Sequence, residues 1–481
     1  MKTLLDALDD PKLFAPWLKD NATWTAWRAF LAALFGLPLS EAELAIFTAC
    51  TARQHAPTAA AKEAWLIIGR RGGKSFIMAL CAVFLACFRD YRAFLTPGER
   101  ATILVIAADR KQARVIMRYV RGLLTGVPAL KKMIEREAQE SFDLTNSTTI
   151  EVATANFRTV RGYTLAAALA DEVAFWRSDD SASPDKEVLD ALRPAMLTIP
   201  NAMLLCASSP YSRRGVLWEA RQKHYGHDGA PLVWQASTRT MNPSVPQAEI
   251  DKKYEEDPAV AAAEYGAEFR SDLQAFVDRE AVIACVDAGV RERPFMREWE
   301  YVGFVDTSGA GADAFSIAIA HRENKTAILD VVREVVPPFS PEAVTEEFAL
   351  LLKSYRITRV FGDRYAGEYP RELFRNKGIN YELSNKSRTD IYRDTLPHIN
   401  SQSIALLDDK KLISQLIGLE RRTRVGGKDL IDHAPGAHDD LCNAACGALG
   451  KAWEGGDGRV PERLYGPRPK PVFYDPLEMM R

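Results

Sequence analysis

The chain has 481 residues, a formal net charge of −2, and a composition that is 47% hydrophobic and 26% charged. This ordinary composition excludes a fibrous or largely disordered protein, and the length allows two or three domains. The near-neutral charge excludes a protein that grips DNA through overall positive charge, so any DNA contact must come from local patches. Seven scattered cysteines, an N-terminus without a signal-peptide layout and no apolar run long enough for a bilayer predict a soluble intracellular protein.

The first half of the chain has the pattern of an α/β domain. Residues up to about 60 have aromatic and aliphatic side chains at helical spacing, which predicts a helical segment. Short continuous apolar runs then alternate with amphipathic segments, as expected of strands buried on both faces of a parallel sheet. These runs are AWLIIG, ATILVIAA, LAAALAD and AMLLCASS. We assign residues 1–275 to this domain and 276–296, before and within a charged stretch, to a linker.

The second half has a different strand pattern. Three apolar runs, YVGFVDTS, FSIAIAH and TAILDVVREV, are separated by two short turns, which predicts an antiparallel meander. A helical segment and a further strand, RVFGD, follow. The second domain, 297–452, is therefore predicted to be mixed α/β. The remaining residues, 453–481, are rich in proline and have no apolar period, which predicts an extended tail.

The strongest local motif is IIGRRGGKSFIMAL, a strand, a glycine-rich turn and a helix. Backbone N–H groups of such a loop and the helix N-terminus hold phosphate oxygens. Lys74 would reach the β- and γ-phosphates, and Ser75 would place its hydroxyl on Mg²⁺. The motif departs from the standard spacing, since Ile68 stands where the first glycine is expected and Gly69 comes one place later. An ordinary strand-to-helix turn is the alternative, but the flanking strand and helix favour a nucleotide site.

Two further strand ends supply polar groups. The strand LAAALAD ends in Asp171, which could hold Mg²⁺ through water, and Glu172 follows, placed to polarise an attacking water. Two solvated acids at the end of a strand are the alternative. The strand AMLLCASS ends in Ser208 and Ser209. These hydroxyls either sense the γ-phosphate or only cap the next turn, and the sequence leaves both possibilities open.

Together these motifs resemble the large terminase subunits of tailed bacteriophages. The likeness lies in the arginine-bearing loop 70–75, the Asp171-Glu172 strand end, the Ser-Ser-Pro strand end at 208–210 and RTVRGYT at 158–164, and it extends over about residues 40–450. It implies a P-loop ATPase domain, with a parallel sheet between helices, followed by a ribonuclease H-like nuclease domain.

The resemblance also implies an activity, partners and a location. The activity is ATP-driven translocation of double-stranded viral DNA into a procapsid, together with metal-dependent endonuclease cleavage of the concatemer. The implied partners are the DNA, the portal protein, a small terminase subunit and further copies of the chain in a ring. The protein would work in the host cytoplasm, transiently at the portal vertex of the procapsid.

Individual roles follow from the same resemblance. Glu172 matches the catalytic glutamate, and Ser208 and Ser209 match the segment that couples hydrolysis to movement. Ser75 and Asp171 would hold the Mg²⁺ that accompanies ATP. Gln54, in TARQ, stands where the family's adenine-contacting segment is expected. The implied ATP-binding residues are Gln54, Arg70, Arg71, Gly72, Gly73, Lys74, Ser75 and Asp171.

Acidic residues of the second domain fit a nuclease that uses two Mg²⁺ or Mn²⁺ ions, which needs several converging carboxylates. A ribonuclease H-like fold supplies them from its first strand, a later parallel strand and a C-terminal helix, and Asp306, Asp363 and Asp440 lie at those places. These three are the predicted catalytic residues and metal ligands, with Asp439 as a further ligand. An acid in an apolar strand, as at Asp306, is costly unless a metal or partner compensates it. A role as helix N-cap is the rival for Asp439.

Other polar residues of this region are less specific. Asp313 could be an auxiliary ligand, and the sequence assigns no role to His433 or His438. A basic cluster could meet DNA phosphates, although a solvated charged face is equally compatible. The cluster consists of Lys410, Lys411, Arg421, Arg422, Arg424 and Lys428. The candidates for an arginine acting in a neighbouring subunit are Arg158, Arg161, Arg213 and Arg214.

Three alternative functions share part of this pattern. A helicase or remodelling ATPase would share the phosphate loop and the Asp-Glu strand end, but it would need a second RecA-like half. A transposase or integrase would share the three carboxylates but not the ATP site. A capsid- or portal-binding protein without enzymatic activity would not need Lys74, Asp171 and Glu172 together.

Overall fold

The structure is a computed structural model that describes residues 2–18, 21–155, 162–176, 183–229, 231–307, 314–362, 369–423, 429–434 and 437–455. The chain divides into two compact units, Met1–Gln274 and Ala275–Arg481. No helix in the described part of the chain is long and apolar enough to cross a membrane.

The first unit alternates helices and strands. Its helices are α1 (Leu4–Asp9), α2 (Asn21–Leu34), α3 (Glu41–Thr51), α4 (Lys74–Phe88), α5 (Arg110–Gly126), α6 (Pro128–Lys131), α7 (Pro184–Leu192), α8 (Val216–His224), α9 (Thr238–Met241), α10 (Gln247–Glu256) and α11 (Pro258–Glu264). Its strands are β1 (Glu63–Ile68), β2 (Ala101–Ala107), β3 (Ile134–Glu137), β4 (Ser141–Leu144), β5 (Thr148–Thr154), β6 (Thr164–Asp171), β7 (Met203–Ser208) and β8 (Leu232–Ala236).

These strands form one sheet in the order β3-β4-β5-β2-β6-β7-β1-β8. The six strands from β5 to β8 in that order are parallel, and β4 and β3 extend the sheet with antiparallel pairs. Alternate side chains of β1 enter two different cores, Leu66 and Ile68 on one face and Trp65 and Ile67 on the other. Because both faces are covered, the central strands are continuous apolar runs, as the sequence predicted.

The second unit contains a mixed sheet. Its helices are α12 (Arg279–Ala284), α13 (Pro341–Ser354), α14 (Tyr369–Asn376), α15 (Arg388–Asn400), α16 (Lys410–Gly418) and α17 (Asp440–Glu454). After β9 (Leu273–Ala275), at the boundary of the units, its strands are β10 (Val286–Asp287), β11 (Tyr301–Asp306), β12 (Phe315–Glu323), β13 (Thr326–Val335), β14 (Arg359–Gly362), β15 (Asn380–Leu383), β16 (Ile404–Leu407), β17 (Leu419–Thr423) and β18 (Asp429–His433).

The main sheet of this unit has the order β10-β16-β13-β12-β11-β14-β15. Strands β11, β12 and β13 form the predicted antiparallel meander, and β14 then pairs with β11 in parallel. Helix α17 packs over the meander, where a Cβ on Gly447 would lie 2.4 Å from the ring of Phe304. Glycine at 447 therefore lets the helix approach β11 closely. The predicted fold class, a parallel α/β unit followed by a mixed α/β unit, is confirmed.

The segment 276–296 differs from the predicted linker, because it belongs to the second unit. It contains α12 and β10, and β10 pairs in parallel with β16. Val282 and Cys285 are buried in the core of this unit, so apolar burial outweighs the charged stretch that suggested a linker. Helix α17 extends through Glu454, and residues 456–481 of the predicted tail lie outside the described residues.

Candidate nucleotide and metal sites

The glycine-rich loop is folded too tightly for side chains at several positions. Gly73 has φ +102°, in the left-handed region that favours glycine. A Cβ on Gly72 would lie 2.5 Å from the Ile68 side chain, and a Cβ on Gly69 would lie 2.4 Å from the Thr238 hydroxyl. The glycine that comes one place later than the standard motif is therefore required by its own close contact.

Side chains from other elements hold the loop in this conformation. The Trp27 indole of α2 donates to Gly72 O at 2.9 Å, and the Thr238 hydroxyl donates to Arg70 O at 2.7 Å. The exposed Arg70 side chain forms an ion pair with Glu264 at 2.7 Å. The predicted loop arginines are therefore on the surface of the unit, one of them already paired.

Lys74 is buried at the start of α4, where its ammonium group is surrounded by oxygen atoms. Its Nζ donates to Ile68 O at 3.1 Å and to Ser209 Oγ at 2.9 Å, and it lies 3.4 Å from Glu172 Oε1. Only 6% of the residue is exposed, so its charge requires such partners. The three contacts join the ends of β1, β6 and β7 at one cation.

Ser75 and Asp171 form the second link of this site. The Ser75 hydroxyl donates to Asp171 Oδ2 at 2.9 Å. Burial and the neighbouring charge of Glu172 raise the pKa of Asp171 to about 7, although Lys74 and Ser75 oppose the shift. A hydroxyl and a buried carboxylate are hard oxygen donors, and a cation would favour ionisation of the acid, so the residues present fit Mg²⁺.

Glu172 is held against the end of β7. It lies in the left-handed region, with φ 51° and ψ 44°. Its Oε2 accepts hydrogen bonds from Ser208 Oγ at 3.1 Å and from Ser209 N at 3.2 Å. Strand pairing brings these groups together, because Asp171 is opposite Ala207 in the parallel pair. Ser208 thus contacts Glu172, and Ser209 contacts both Glu172 and Lys74. The Ser208 hydroxyl also accepts from Ala174 N at 3.3 Å, and a coupling role for the two serines stays a prediction.

Other residues predicted for this unit are not brought to the loop by the contacts described. Gln54 is exposed, and none of the hydrogen bonds among the described residues joins it to the loop. The neighbouring Arg53 is buried and donates to Pro231 O at 2.8 Å. Arg213 stacks over the Trp218 ring. Arg158 and Arg161 lie outside the described residues, so the identity of an arginine acting in trans stays open.

In the second unit the structure brings Asp306 and the start of α17 together. Asp306, at the end of β11, is buried and accepts a hydrogen bond from Asn443 Nδ2 at 2.7 Å. Ser316 is opposite Asp306 in the β11–β12 pair, and its hydroxyl donates to Asp440 O at 2.7 Å. The first strand and the C-terminal helix therefore meet as predicted. Asp363 and Asp313 lie outside the described residues; β14 ends at Gly362, the residue before Asp363.

Asp439 and Asp440 have different surroundings. Asp439 is 2% exposed, and its carboxylate accepts from Arg388 at 3.0 Å and from the Tyr392 hydroxyl at 2.7 Å. It occupies the N-cap position of α17, the place that the rival role predicted, although its side chain makes no capping hydrogen bond. Asp440 Oδ2 lies 3.9 Å from His438 Nδ1.

Sequence reasoning missed Asn443, the fully buried partner of Asp306. One signal was available: an asparagine in the apolar helix lies three residues after Asp440, on the same helical face. Arg388 and Tyr392, which hold Asp439, gave no comparable signal because they belong to another helix, α15.

The basic cluster is partly engaged within the unit. Lys411 forms an ion pair with Glu334 at 2.5 Å, and Arg422 donates to His433 O at 3.2 Å. Arg421 lies over the Phe276 ring. Lys410 is exposed, whereas Arg424 and Lys428 are outside the described residues. DNA contact by this cluster stays a prediction.

No family model matches the chain, and no curated protein matches it. Among solved structures, the chain is similar to the HK97 bacteriophage large terminase, at 15% identity over 82% of this chain and 91% of that one, with a TM-score of 0.37. It is similar to the large terminase from the thermophilic bacteriophage D6E, at 12% identity over 86% and 99%, with a TM-score of 0.36. It is also similar to the large terminase nuclease from thermophilic phage G20c, at 15% identity over 35% of this chain and 94% of that one, with a TM-score of 0.29. This similarity concerns the fold and, at such identities and TM-scores, carries no conclusion about activity.

Proposed function

We propose that the chain is the large terminase subunit of a tailed bacteriophage or prophage, an ATP-driven motor that moves double-stranded DNA into a procapsid and cuts it. One observation carries the proposal: Lys74 contacts both Glu172 and Ser209, while Ser75 contacts Asp171, so three polar residues from the ends of β6 and β7 converge on the first two residues of α4. A structural strand end needs no such convergence. ATP with Mg²⁺ is the substrate that this arrangement fits.

The motor chemistry follows from the contacts of Lys74. Phosphate oxygens that bind its Nζ would compete with Glu172 Oε1, now 3.4 Å away. Glu172 would then be free to accept a proton from the attacking water, while Mg²⁺ held by Ser75 and Asp171 would neutralise charge on the phosphates. The Glu172 carboxylate also accepts from Ser208 and Ser209, so its movement would pull on the end of β7. This is how hydrolysis would reach the rest of the motor.

The nuclease chemistry belongs to the second unit. Asp306 and Asp440 would hold divalent ions, Mg²⁺ or Mn²⁺, with Asp363 as the predicted third carboxylate and Asp439 beside them. Such ions activate water and stabilise the charge on the scissile phosphate. Asn443 would keep the Asp306 carboxylate oriented through its 2.7 Å hydrogen bond. The donor is the side-chain amide of Asn443, and an aspartate carboxylate supplies the oxygen ligands that Mg²⁺ and Mn²⁺ take.

The partners are part of the same proposal. Double-stranded DNA would be the polymer moved and cut, a small terminase subunit would present it, and a ring of this chain would act on the portal protein at the procapsid vertex in the host cytoplasm. The resemblance of the loop and strand-end motifs supports these partners.

A helicase or remodelling ATPase is the second candidate. It accounts for the site in the first unit, but it requires a second RecA-like half. The second unit begins its sheet with the antiparallel meander of β11, β12 and β13 instead, and it carries the buried Asp306. This topology favours a nuclease partner for the ATPase.

The proposal is tested by measuring DNA-stimulated ATP hydrolysis and Mn²⁺-dependent DNA cleavage on one preparation. Lys74→Ala should lose hydrolysis and keep bulk cleavage, and Asp306→Asn should lose cleavage and keep hydrolysis, so each variant is the control for the other. A helicase would separate strands and leave them uncut. A preparation that hydrolyses ATP but does not cut DNA in the presence of Mg²⁺ or of Mn²⁺ would contradict the proposed terminase.

A further inference from the structure

We propose that Asp432, His433 and Asp439 form a third divalent-cation site, of the transition-metal type, which links β18 to the start of α17. One ligand atom of each residue lies within 4.8 Å of the other two. The cluster contains neither Asp306 nor Asp440, and it shares Asp439 with the predicted nuclease ligands; its geometry does not rest on the proposed function.

The spacing of the three side chains fits a coordination sphere. His433 Nε2 lies 3.8 Å from Asp432 Oδ1 and 4.0 Å from Asp439 Oδ1. Metal–ligand bonds of about 2.0–2.2 Å place ligand atoms roughly 3–4 Å apart, so a bound ion requires only small side-chain movements. The same distances are too long for hydrogen bonds, which makes a simple hydrogen-bonded ion pair a poor description of the cluster.

The hydrogen bonding of His433 points to the same conclusion. Its Nδ1 lies 2.9 Å from Ala434 O, and a carbonyl oxygen can only accept, so Nδ1 carries a proton. Nε2 is the other ring nitrogen, and it is the atom that faces the two carboxylates. A backbone carbonyl that fixes the tautomer in this way is the usual companion of a metal-ligating histidine.

Hydrogen bonds fix the orientation of the Asp439 carboxylate, as they do for carboxylates that bind metal ions. It is 2% exposed, with Tyr392 OH donating to Oδ2 at 2.7 Å and Arg388 Nη1 donating to Oδ1 at 3.0 Å. These bonds fix the carboxylate with Oδ1 toward His433. The positive charge of Arg388 offsets part of the negative charge of the two aspartates, so we expect the site to bind a cation with moderate affinity. We also expect the cation to be one that imidazole nitrogen binds well.

The donor set selects the kind of ion. One imidazole and two carboxylates suit Zn²⁺, Co²⁺ or Mn²⁺, whereas Mg²⁺ prefers oxygen ligands alone. Asp432 and His433 are the last residues of β18, and Asp439 immediately precedes α17. A bound ion would therefore fix the strand that pairs with Arg421 and Arg422 of β17 to the helix that carries Asp440.

The test uses the full chain and Co²⁺ alone as the probe, followed by visible absorption and equilibrium dialysis in the absence of nucleotide and DNA. Wild type should bind at least one more equivalent of Co²⁺ than His433→Ala and should have an absorption band that this variant lacks. Asp306→Asn should keep that band, because Asp306 is not one of the three ligands. His55→Ala removes an exposed histidine of the first unit and should behave as wild type.

Asp432→Asn keeps the shape of the cluster and serves as the second variant should His433→Ala fold poorly, with circular dichroism in chelator as the check. It should lower the Co²⁺ affinity about 10-fold or more, since a charged ligand is lost. If both variants retain the stoichiometry and absorption of wild type, Asp432, His433 and Asp439 are an ion pair and the proposal is wrong. The same conclusion follows if the band is lost in Asp306→Asn instead.

Discussion

The two candidate sites differ in how their carboxylates are compensated. In the first unit Lys74 supplies a fixed cation 3.4 Å from Glu172. In the second unit the partner of Asp306 is the neutral amide of Asn443, at 2.7 Å. The first site thus holds a positive charge of the protein itself, whereas the proposed second site would gain its positive charge from bound divalent ions. Loss of a charge should therefore disturb the first site and relieve repulsion in the second.

The largest expected effect is in the first unit. Lys74→Ala should abolish ATP hydrolysis, because the β- and γ-phosphates lose their cation and Glu172 loses its partner. Steady-state phosphate release measures this, with Lys62→Ala, an exposed lysine just before β1, as the matched control. Hydrolysis at the wild-type rate in Lys74→Ala would remove the nucleotide site from this loop.

The corresponding change in the second unit is Asp306→Asn. Cleavage should fall by orders of magnitude because divalent ions contribute several kcal/mol to such reactions. In chelator, however, the variant should melt at the wild-type temperature or slightly above, since like-charged carboxylates repel when no metal is present. Asp363→Asn should behave alike.

Asp330→Asn is the contrasting control for Asp306→Asn. Asp330 is a buried aspartate whose Oδ2 lies 2.7 Å from His321 Nδ1, so it is compensated within the protein. Its replacement should lower the melting temperature with or without metal. If Asp306→Asn melts as low as Asp330→Asn in chelator, Asp306 is structural and the comparison between the units fails.

Glu172→Gln should separate binding from hydrolysis. It keeps the shape that accepts from Ser208 and Ser209, so ATP should still bind, but loss of the general base should slow hydrolysis by about 10²–10⁴-fold. Single-turnover hydrolysis and fluorescent-nucleotide binding measure the two steps. Equal losses in both steps would mean that Glu172 acts mainly by neutralising Lys74.

Asn443→Leu should act on the metal requirement of cleavage. Without its amide the Asp306 carboxylate loses the donor that orients it, so the Mn²⁺ concentration for half-maximal cleavage should rise by about 10- to 100-fold. The rate at saturating Mn²⁺ should change less. Asn443→Ser retains a donor and should recover part of the affinity; a loss of rate with no change in metal requirement would indicate a packing role alone.

The smallest expected effect is a pH dependence within the second unit. Burial lowers the pKa of His321, but the hydrogen bond and charge of Asp330 outweigh it, so the pKa lies above its ordinary value of 6.5. The stability that this pair contributes is fully present below pH 6.5 and is lost as the pH rises through the folded-state pKa. Between pH 6 and 8, the free energy of unfolding measured in urea should therefore fall more for wild type than for His321→Gln. An equal fall for the two proteins would contradict the expectation.

Helices and strands were predictable where the signal for them lies within a short stretch of the sequence. Continuous apolar runs predicted β1, β2, β6 and β7, and short turns predicted the meander, because both signals are local in the chain. The linker was not predictable, since Val282 and Cys285 become core residues only when β10 pairs with β16. A charged composition indicated exposure there, but the apolar residues decided the structure.

The sites followed the same rule. The nucleotide site was predictable because its residues lie next to recognisable strands. Lys74 comes shortly after β1, and Asp171 and Glu172 stand at the end of β6. Asn443 lies 137 residues from Asp306 in sequence, and Arg388 lies 51 residues from Asp439. Contacts over such separations depend on how α15 and α17 pack, which no local pattern specifies.

The contact between Trp27 and the phosphate loop gives the protein an internal optical reporter. The indole Nε1 donates to Gly72 O at 2.9 Å, and the ring lies against Gly73. Indole emission depends on the polarity and hydrogen bonding of its surroundings, and a phosphate bound at this loop would alter both. If ATP binds this loop as proposed, its binding and release should therefore change the intrinsic fluorescence of the unlabelled chain, and Trp27→Phe should remove that change.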